Sequence, residues 1–457
     1  MNKNIINKKS KLMILIIIFI IVIKLKLYLN EDIYWINNYY LSIQKYLNLS
    51  FQNNLDSIIR IGIYYYSIKN GGIERLISLL IKYLNKVKIF EIYLFTIVKE
   101  SNEYIIPNNI NRKIVKSNTL DLIKTIKRNK IDILIYNFYN YYEINILNQI
   151  KEFKIIYYNH SCLFYWIYSG FYLFSYLYKA YKQSKYIISL VPFENDFLFK
   201  KWGINSILMN NFITYEYNEV IPSNLSSKII LMIGRGEDKQ KRFELGIQAM
   251  KYIIQKIPDC IMRMISKKEG LNDILNLTVN LKLQDYIEFI GYSRQPEKYY
   301  KNASLHIFPS VCESFALVLI ETKAFGIPSI ILGLDYLSAI KGGVIIIYDD
   351  NPNSIAKEAI KILNNEKYRL KLGSEARESI KKFNNILTLN KWIKLILSIY
   401  NGENYYQALR EKDTKIDKDI ALNQIETQIK LVKMRKSNFY DLILKDIENI
   451  SFTEKFK

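Results

Sequence analysis

Apolar and polar positions along this chain fall into a repeating unit that runs twice. Short apolar runs at 58–66, 90–97, 131–136, 154–158, 186–191 and 207–209 read as buried strands. After the first of them, Ile73, Leu76, Ile77, Leu80 and Leu84 keep helical spacing. A polar stretch containing Pro222 then interrupts the pattern. It restarts with strands at 228–233, 260–265, 287–290, 305–308, 329–332 and 342–348, and with Phe243, Ile247, Met250 and Ile254 on one helical face. Helices are expected at 316–325, 352–363, 368–382 and 386–402. Strands alternating with helices in both halves predict an α/β fold of two units. The boundaries expected are 58–213 for the first unit, 214–227 for a linker and 228–385 for the second unit. The helix at 386–402 is expected to cross back to the first unit.

The ends of the chain read differently. Residues 1–11 carry Lys3, Lys8, Lys9 and Lys11, and 12–23 is uninterrupted apolar sequence. Twelve helical residues rise about 18 Å, short of a bilayer core of about 30 Å. Extension to residue 29, with Lys24 and Lys26 reaching back to the interface, supplies the missing length. No small-residue cleavage site follows, so 1–29 is expected to be a tail and single N-terminal membrane anchor. Residues 30–57 form a polar, aromatic connector, and 403–457 a charged extension of helical character. The uncharged, Tyr- and Trp-rich stretch 163–178 is expected to be a helix that partly faces the membrane interface.

Composition narrows the partners. The chain has 457 residues and a net charge of +22, spread along its length. With no nucleic-acid module in the sequence, that charge points to a membrane surface and phosphorylated small molecules, and away from nucleic acid. Three cysteines and two histidines give no disulfide framework and no metal spacing. Asp349 and Asp350 lack a third ligand and are expected to cap the helix that follows, so no metal is expected. The four early lysines alone would send the catalytic region across the membrane. The sequon at Asn159, His160 and Ser161 and the free cysteines favour a catalytic region that faces the cytosol.

Four places concentrate candidate chemistry. The first strand ends in Gly71 and Gly72 before an amphipathic helix, a geometry that lets a ligand close on the backbone. His160 ends the strand at 154–158, where open α/β sheets place ligands. The strand at 228–233 runs into a basic loop with Arg235, Lys239, Lys241 and Arg242, suited to a diphosphate. Finally, Glu313 and Glu321 flank Ser314, Phe315, Ala316 and Leu317, whose N–H groups would face an anion at a helix start. Eight residues of helix rise about 12 Å, so two carboxylates at that spacing could hold two ends of one elongated ligand. Gly326 and Pro328 close that helix.

Glu313 and Glu321, with Pro309 and Ser310 before them and Gly326 and Pro328 after, resemble the E-x7-E element of glycosyltransferase family 4, retaining enzymes of the GT-B fold. Gly71, Gly72, Glu74 and Arg75 resemble the start of that family's N-terminal domain, and Gly234-Arg235 with Lys241 its phosphate-binding loop. The resemblance covers roughly 58–400 and is more specific in its second half. It implies two facing Rossmann-like domains with a cleft between them, a nucleotide-sugar donor, a glycan or lipid-linked acceptor, and neither cofactor nor metal. It further implies that Glu321 holds the ribose, Glu313 a donor-sugar hydroxyl, Arg235 and Lys241 the diphosphate, and that His160 lines the reacting face. Gly71 and Gly72 would close on the phosphates. Three departures stand out: Ser314, Ala316 and Arg242 occupy places where the family often has glycine. A nucleotide-sugar epimerase on the same fold and a catalytically silent membrane scaffold are the rival readings.

Overall fold

The computed structural model describes residues 58–403, apart from 70, 118, 139–149, 151, 170, 237–238 and 335–336. The expected anchor, the connector and the extension from 404 onward lie outside the described residues. Among the described residues, no helix is long and apolar enough to cross a membrane.

The first half is built on strands β1 (Ile59–Tyr65), β2 (Phe90–Thr96), β3 (Asn111–Ile114), β4 (Ile133–Phe138), β5 (Ile155–Asn159), β6 (Tyr186–Ser189) and β7 (Ile207–Leu208). They form one parallel sheet in the order β3-β2-β1-β4-β5-β6-β7. Helices α1 (Gly72–Leu84), α2 (Thr119–Arg128), α3 (Leu163–Ser169), α4 (Phe171–Gln183) and α5 (Pro192–Trp202) belong to this half. Near-continuous Ile, Leu and Tyr runs suit strands buried on both faces of a parallel sheet. β3 shows no such run, and its residues are half-buried or exposed. The edge of the sheet sets its position there, which is why apolar periodicity passes over it.

The stretch 163–178 divides into α3 and the start of α4. Leu163, Phe164 and Trp166 at one end and Leu177 at the other are buried, with Phe164 stacked on Phe193 at 4.6 Å. These residues pack into the protein core. The side chains of 167–176 lie outside the described residues.

The second half carries β8 (Ile229–Ile233), β9 (Ile261–Ile265), β10 (Ile287–Phe289), β11 (Leu305–Phe308), β12 (Ser329–Leu332) and β13 (Val344–Ile347), in the parallel order β10-β9-β8-β11-β12-β13. Its helices are α6 (Phe243–Ile253), α7 (Asn272–Asn280), α8 (Glu297–Tyr300), α9 (Leu317–Ala324), α10 (Pro352–Asn364) and α11 (Glu366–Ser379). Both sheets reverse direction of growth beside their first strand, between β1 and β4 and between β8 and β11. Open α/β sheets bind ligands at the carboxyl ends of strands at such points.

Helix α12 (Asn385–Asn401) packs on the first half. Asn385 donates to the Ile213 carbonyl and accepts from the Ile213 N–H, while buried Trp392 lies 5.6 Å from Tyr158. Helix α9 is braced from behind by α11. Arg377 donates to the Ala324 carbonyl at 2.6 Å and to the Tyr217 carbonyl in the linker at 2.7 Å. Gly373 of α11 lets the turn at Gly326 approach, since a Cβ there would stand 2.5 Å from the Gly326 carbonyl oxygen. Gly373→Ala is therefore expected to lower stability by about 1–3 kcal/mol through overpacking. A urea-unfolding midpoint equal to that of the parent chain would show that the helix has room to shift.

Candidate active site

The carboxyl ends of β8 and β11 supply the first part of the site. β8 leads into exposed Arg235, and the loop then turns back so that Gln240 lies along the chain after β11. The Val311 N–H donates to the Gln240 carbonyl at 2.8 Å, and Gln240 Nε2 donates to the Cys312 carbonyl at 2.6 Å. This zipper sets Lys241 Nζ 2.5 Å from Glu313 Oε1, with the Phe308 ring 5.7 Å from the ammonium. Both side chains are mostly buried, so their charges act on each other through little water. Lys239 is exposed and points no such contact at Glu313. The zipper brings Lys241, and not Lys239, to Glu313, and Gln240 is the residue that sequence reading missed.

Arg242 and Ala316 both adopt left-handed backbone, with φ of 51° and 57°. These are two of the three positions where glycine is usual in the resembling family, and left-handed backbone is where glycine is unstrained. Ala316 is the N-cap of α9, so Glu313 and Ser314 lie in the loop before the helix. The unbroken helical rise expected between the two glutamates is therefore shortened: only α9, from Leu317, is helical. Arg242 caps α6 and turns its guanidinium to Asp350 Oδ1 at 2.6 Å. The Asp pair does not cap α10 as expected. Asn351 does, accepting from the Asn353 N–H at 2.9 Å, while Asp349 accepts from Ser354 Oγ. Asn has the shorter path to the free N–H groups because it directly precedes the helix. Among the described residues, no group of three or more His, Cys, Asp or Glu side chains could hold a metal ion.

The first half meets this element at two places. Ser314 Oγ donates to the His160 carbonyl at 2.5 Å. The His160 ring is buried, 4.2 Å from the Tyr158 ring, with Nε2 2.8 Å from Asn137 Oδ1. Asn137 Nδ2 donates to the Tyr64 carbonyl, so its Oδ1 faces the histidine as an acceptor and assigns the proton to Nε2. Nδ1 then presents a lone pair, and no hydrogen-bond partner meets it. Burial pushes the imidazole down to about 3, so His160 is neutral at physiological pH and presents an acceptor, not a positive charge. Behind it, Asn159 accepts from the Ser161 N–H and donates to Tyr181, fixing the loop.

The second meeting place is Glu321. Its side chain is 1% exposed; Arg75 Nη2 approaches Oε1 at 2.9 Å, Thr214 Oγ1 donates to Oε1 at 2.8 Å, and the Tyr300 hydroxyl donates to Oε2 at 2.9 Å. Phe315 is buried against Phe383, and Leu317 is half-buried at the helix start. Gly71 caps α1, but the space its missing side chain leaves is filled by Glu74: a Cβ there would lie 1.8 Å from Glu74 Oε2. Burial pushes this carboxyl up, and Arg235 and Lys267 from the second half pull it back. A carboxylate of the chain itself thus occupies the anion position at the start of α1, whereas Gly72 stays open. Tyr65, Tyr66, Ser67, Lys69, Glu74, Glu100 and Lys267 line a cavity of about 360 Å³ beside it. The structure therefore gathers His160, Lys241, Glu313, Ser314 and Glu321 along one interdomain seam, and leaves Lys239 outside it.

Known proteins share this frame. Residues 215–379 match the family model of glycosyl transferases group 1. An uncharacterized glycosyltransferase of Haemophilus influenzae is 25% identical over 199 residues, 42% of this chain and 55% of that protein. The chain thus spans about half or less of the curated relatives it matches. Among solved structures, sucrose-phosphate synthase from Thermosynechococcus elongatus superposes with a TM-score of 0.65 at 15% identity, over 76% of this chain and all of that one. HepE of Anabaena in complex with UDP-glucose gives 0.62 at 13%, over 74% and 99%. The described part of the chain has the GT-B-like α/β fold, and its second half, over residues 215–379, carries the group 1 glycosyl transferase segment.

Proposed function

We propose that the chain is a retaining glycosyltransferase that moves a sugar from a UDP- or GDP-sugar to a hydroxyl of a lipid-linked or membrane-proximal glycan. One observation carries the reading: Lys241 and Glu313 pair at the carboxyl end of β11 while Ser314, the next residue, bonds to the His160 backbone of the opposite half. The loop that carries Lys241 and Glu313, at the switch point of the second sheet, is thereby joined to the loop that carries His160, at the carboxyl end of β5. In the reaction, Arg235 and Lys241 neutralise the departing diphosphate by preorganised charge. Glu313 holds a donor-sugar hydroxyl, Glu321 the ribose, and His160 Nδ1 accepts a hydrogen bond from a hydroxyl at the reacting face. The leaving phosphate oxygen takes the proton of the incoming hydroxyl as the new glycosidic bond forms on the same face. No metal is invoked. The N-terminal anchor expected at 1–29 would hold this cleft at the membrane with the catalytic region toward the cytosol.

A donor screen tests the proposal. Membranes containing the chain, or the chain without residues 1–29, are given UDP- and GDP-sugars with and without lipid extract, and nucleoside diphosphate release is followed. Release that needs one sugar nucleotide and lipid is the expected result. Release stimulated only by soluble glycans would keep the transferase and discard the lipid acceptor. Turnover of a sugar nucleotide to its epimer with no acceptor would replace the proposal with the epimerase, and silence with every donor would favour the scaffold.

A further inference from the structure

Glu321 is a carboxylate of the second half whose charge is balanced from the first. Arg75 sits in the first turn of α1, a helix fixed to the sheet by buried Leu76, Ile77, Leu80, Ile81 and Leu84, so its guanidinium has a defined place to reach from. Its Nη2 lies 2.9 Å from Glu321 Oε1. The same oxygen accepts from Thr214, in the stretch joining the halves, and Oε2 accepts from Tyr300 of the second half. Tyr215 stands edge-on to Tyr300 at 6.2 Å and is itself bonded to Glu297. One carboxylate thus collects a cation from the first half, a hydroxyl from the joining stretch and a hydroxyl from its own half. No other salt bridge to Glu321 is present among the described residues. Arg75 Nε is also buried with no partner, which leaves the guanidinium one unused donor in the seam.

We infer that Arg75 is a positioning residue that holds Glu321 in register and makes donor binding to the second half conditional on closure of the first half against it. The inference rests on the transferase reading for the role of Glu321, but the contact itself is independent of it. A buried carboxylate is stable in its place only while its counter-charge is there. Separation of the two halves removes Arg75 and leaves Glu321 to Thr214 and Tyr300. A ligand that needs Glu321 fixed is therefore held more tightly by the closed chain, which is the differential affinity that population shift requires.

The test uses the full chain with Arg75→Met and Arg75→Lys, measuring the dissociation constants of UDP and GDP, donor and acceptor KM, urea stability and the radius of gyration in solution. Arg75→Met should weaken the bound nucleoside diphosphate roughly 10- to 100-fold, the scale of a lost charge-assisted hydrogen bond. It should raise donor KM with acceptor KM unmoved, and increase the radius of gyration. Arg75→Lys should restore much of the affinity, and Arg75→Met should add little in a Glu321→Gln background. A purely structural ion pair would lower urea stability in both variants while affinity and radius stayed at parent values; that outcome overturns the inference. Should Arg75→Met fail to fold, Arg75→Lys with parent affinity and radius but a lowered urea midpoint overturns it equally. A parent chain that binds neither UDP nor GDP would sink the transferase reading, and the radius would still decide the latch.

Discussion

Lys241→Met should lower glycosyl transfer by about 10²- to 10³-fold, the usual effect of removing one preorganised group from a developing charge. Two features make this lysine hard to replace. Its ammonium is 2.5 Å from Glu313 Oε1, and both side chains are mostly shielded from water. Removing it strips a cation from the place proposed for the diphosphate and also leaves Glu313 partly buried beside its missing partner. Lys239 is exposed and cannot take its place without unzipping the Gln240 contacts. Because the two groups touch, Lys241→Met and Glu313→Gln should not multiply: the double variant is expected to be little worse than the poorer single one. Product formation under kcat/KM conditions reads both effects. Activity within threefold of the parent in Lys241→Met would remove the lysine from the mechanism, and Lys239→Met serves as the comparison expected to stay near parent activity.

A second large effect is expected from acid. His160 and His306 are both buried, and burial pushes each imidazole down to about 3 from its ordinary value near 6.5. His306 is wedged under α9, its Nδ1 3.2 Å from both Ser329 Oγ and Thr322 Oγ1, with Nε2 unpartnered. Below pH 6.5 the unfolded chain takes up protons at these positions and the folded chain does not. Stability is therefore lost as pH falls from about 6.5 toward about 3, by up to about 1.4 kcal/mol per histidine per pH unit. At pH 4.5 the two together reach roughly 5 kcal/mol, comparable to the low end of a domain's whole stability. The buried carboxyl of Glu194 works in the opposite sense, since burial pushes it up and the fold gains protons there as pH falls. A histidine-specific test removes that offset: urea midpoints from pH 7.5 to 4.5 should fall less steeply in His306→Asn than in the parent. Parallel slopes would show that the imidazole reaches a proton in the folded state.

Local sequence alone determined the apolar strands and the amphipathic helices beside them, the break between the halves and the addresses of the candidate chemistry, but not the half-exposed β3 or helices α2, α5, α7 and α8. Those features depend on residues within a few positions of each other: apolar spacing buries one face, Gly326 ends α9, and strands that end in glycine or basic loops deliver those residues to the same edge of a parallel sheet. The two glutamates were legible as a pair in the same way, although only the part from Leu317 onward is helical and Glu313 is set by the loop before it. Tertiary structure decided which of those groups meet. Lys241 was chosen over Lys239 by a backbone zipper to Val311 and Cys312, some seventy positions away. Glu74 filled the gap beside Gly71, a short-range outcome set by how α1 starts and by cations of the other half. Glu321 received Arg75 across 246 positions (321 less 75), and Asp350 received Arg242 across 108 (350 less 242) in place of the expected cap. Partnerships of this kind depend on how two sheets are brought together by the linker and by α12. No periodicity in the chain records that distance, so the elements could be read from the sequence while their ion pairs could not.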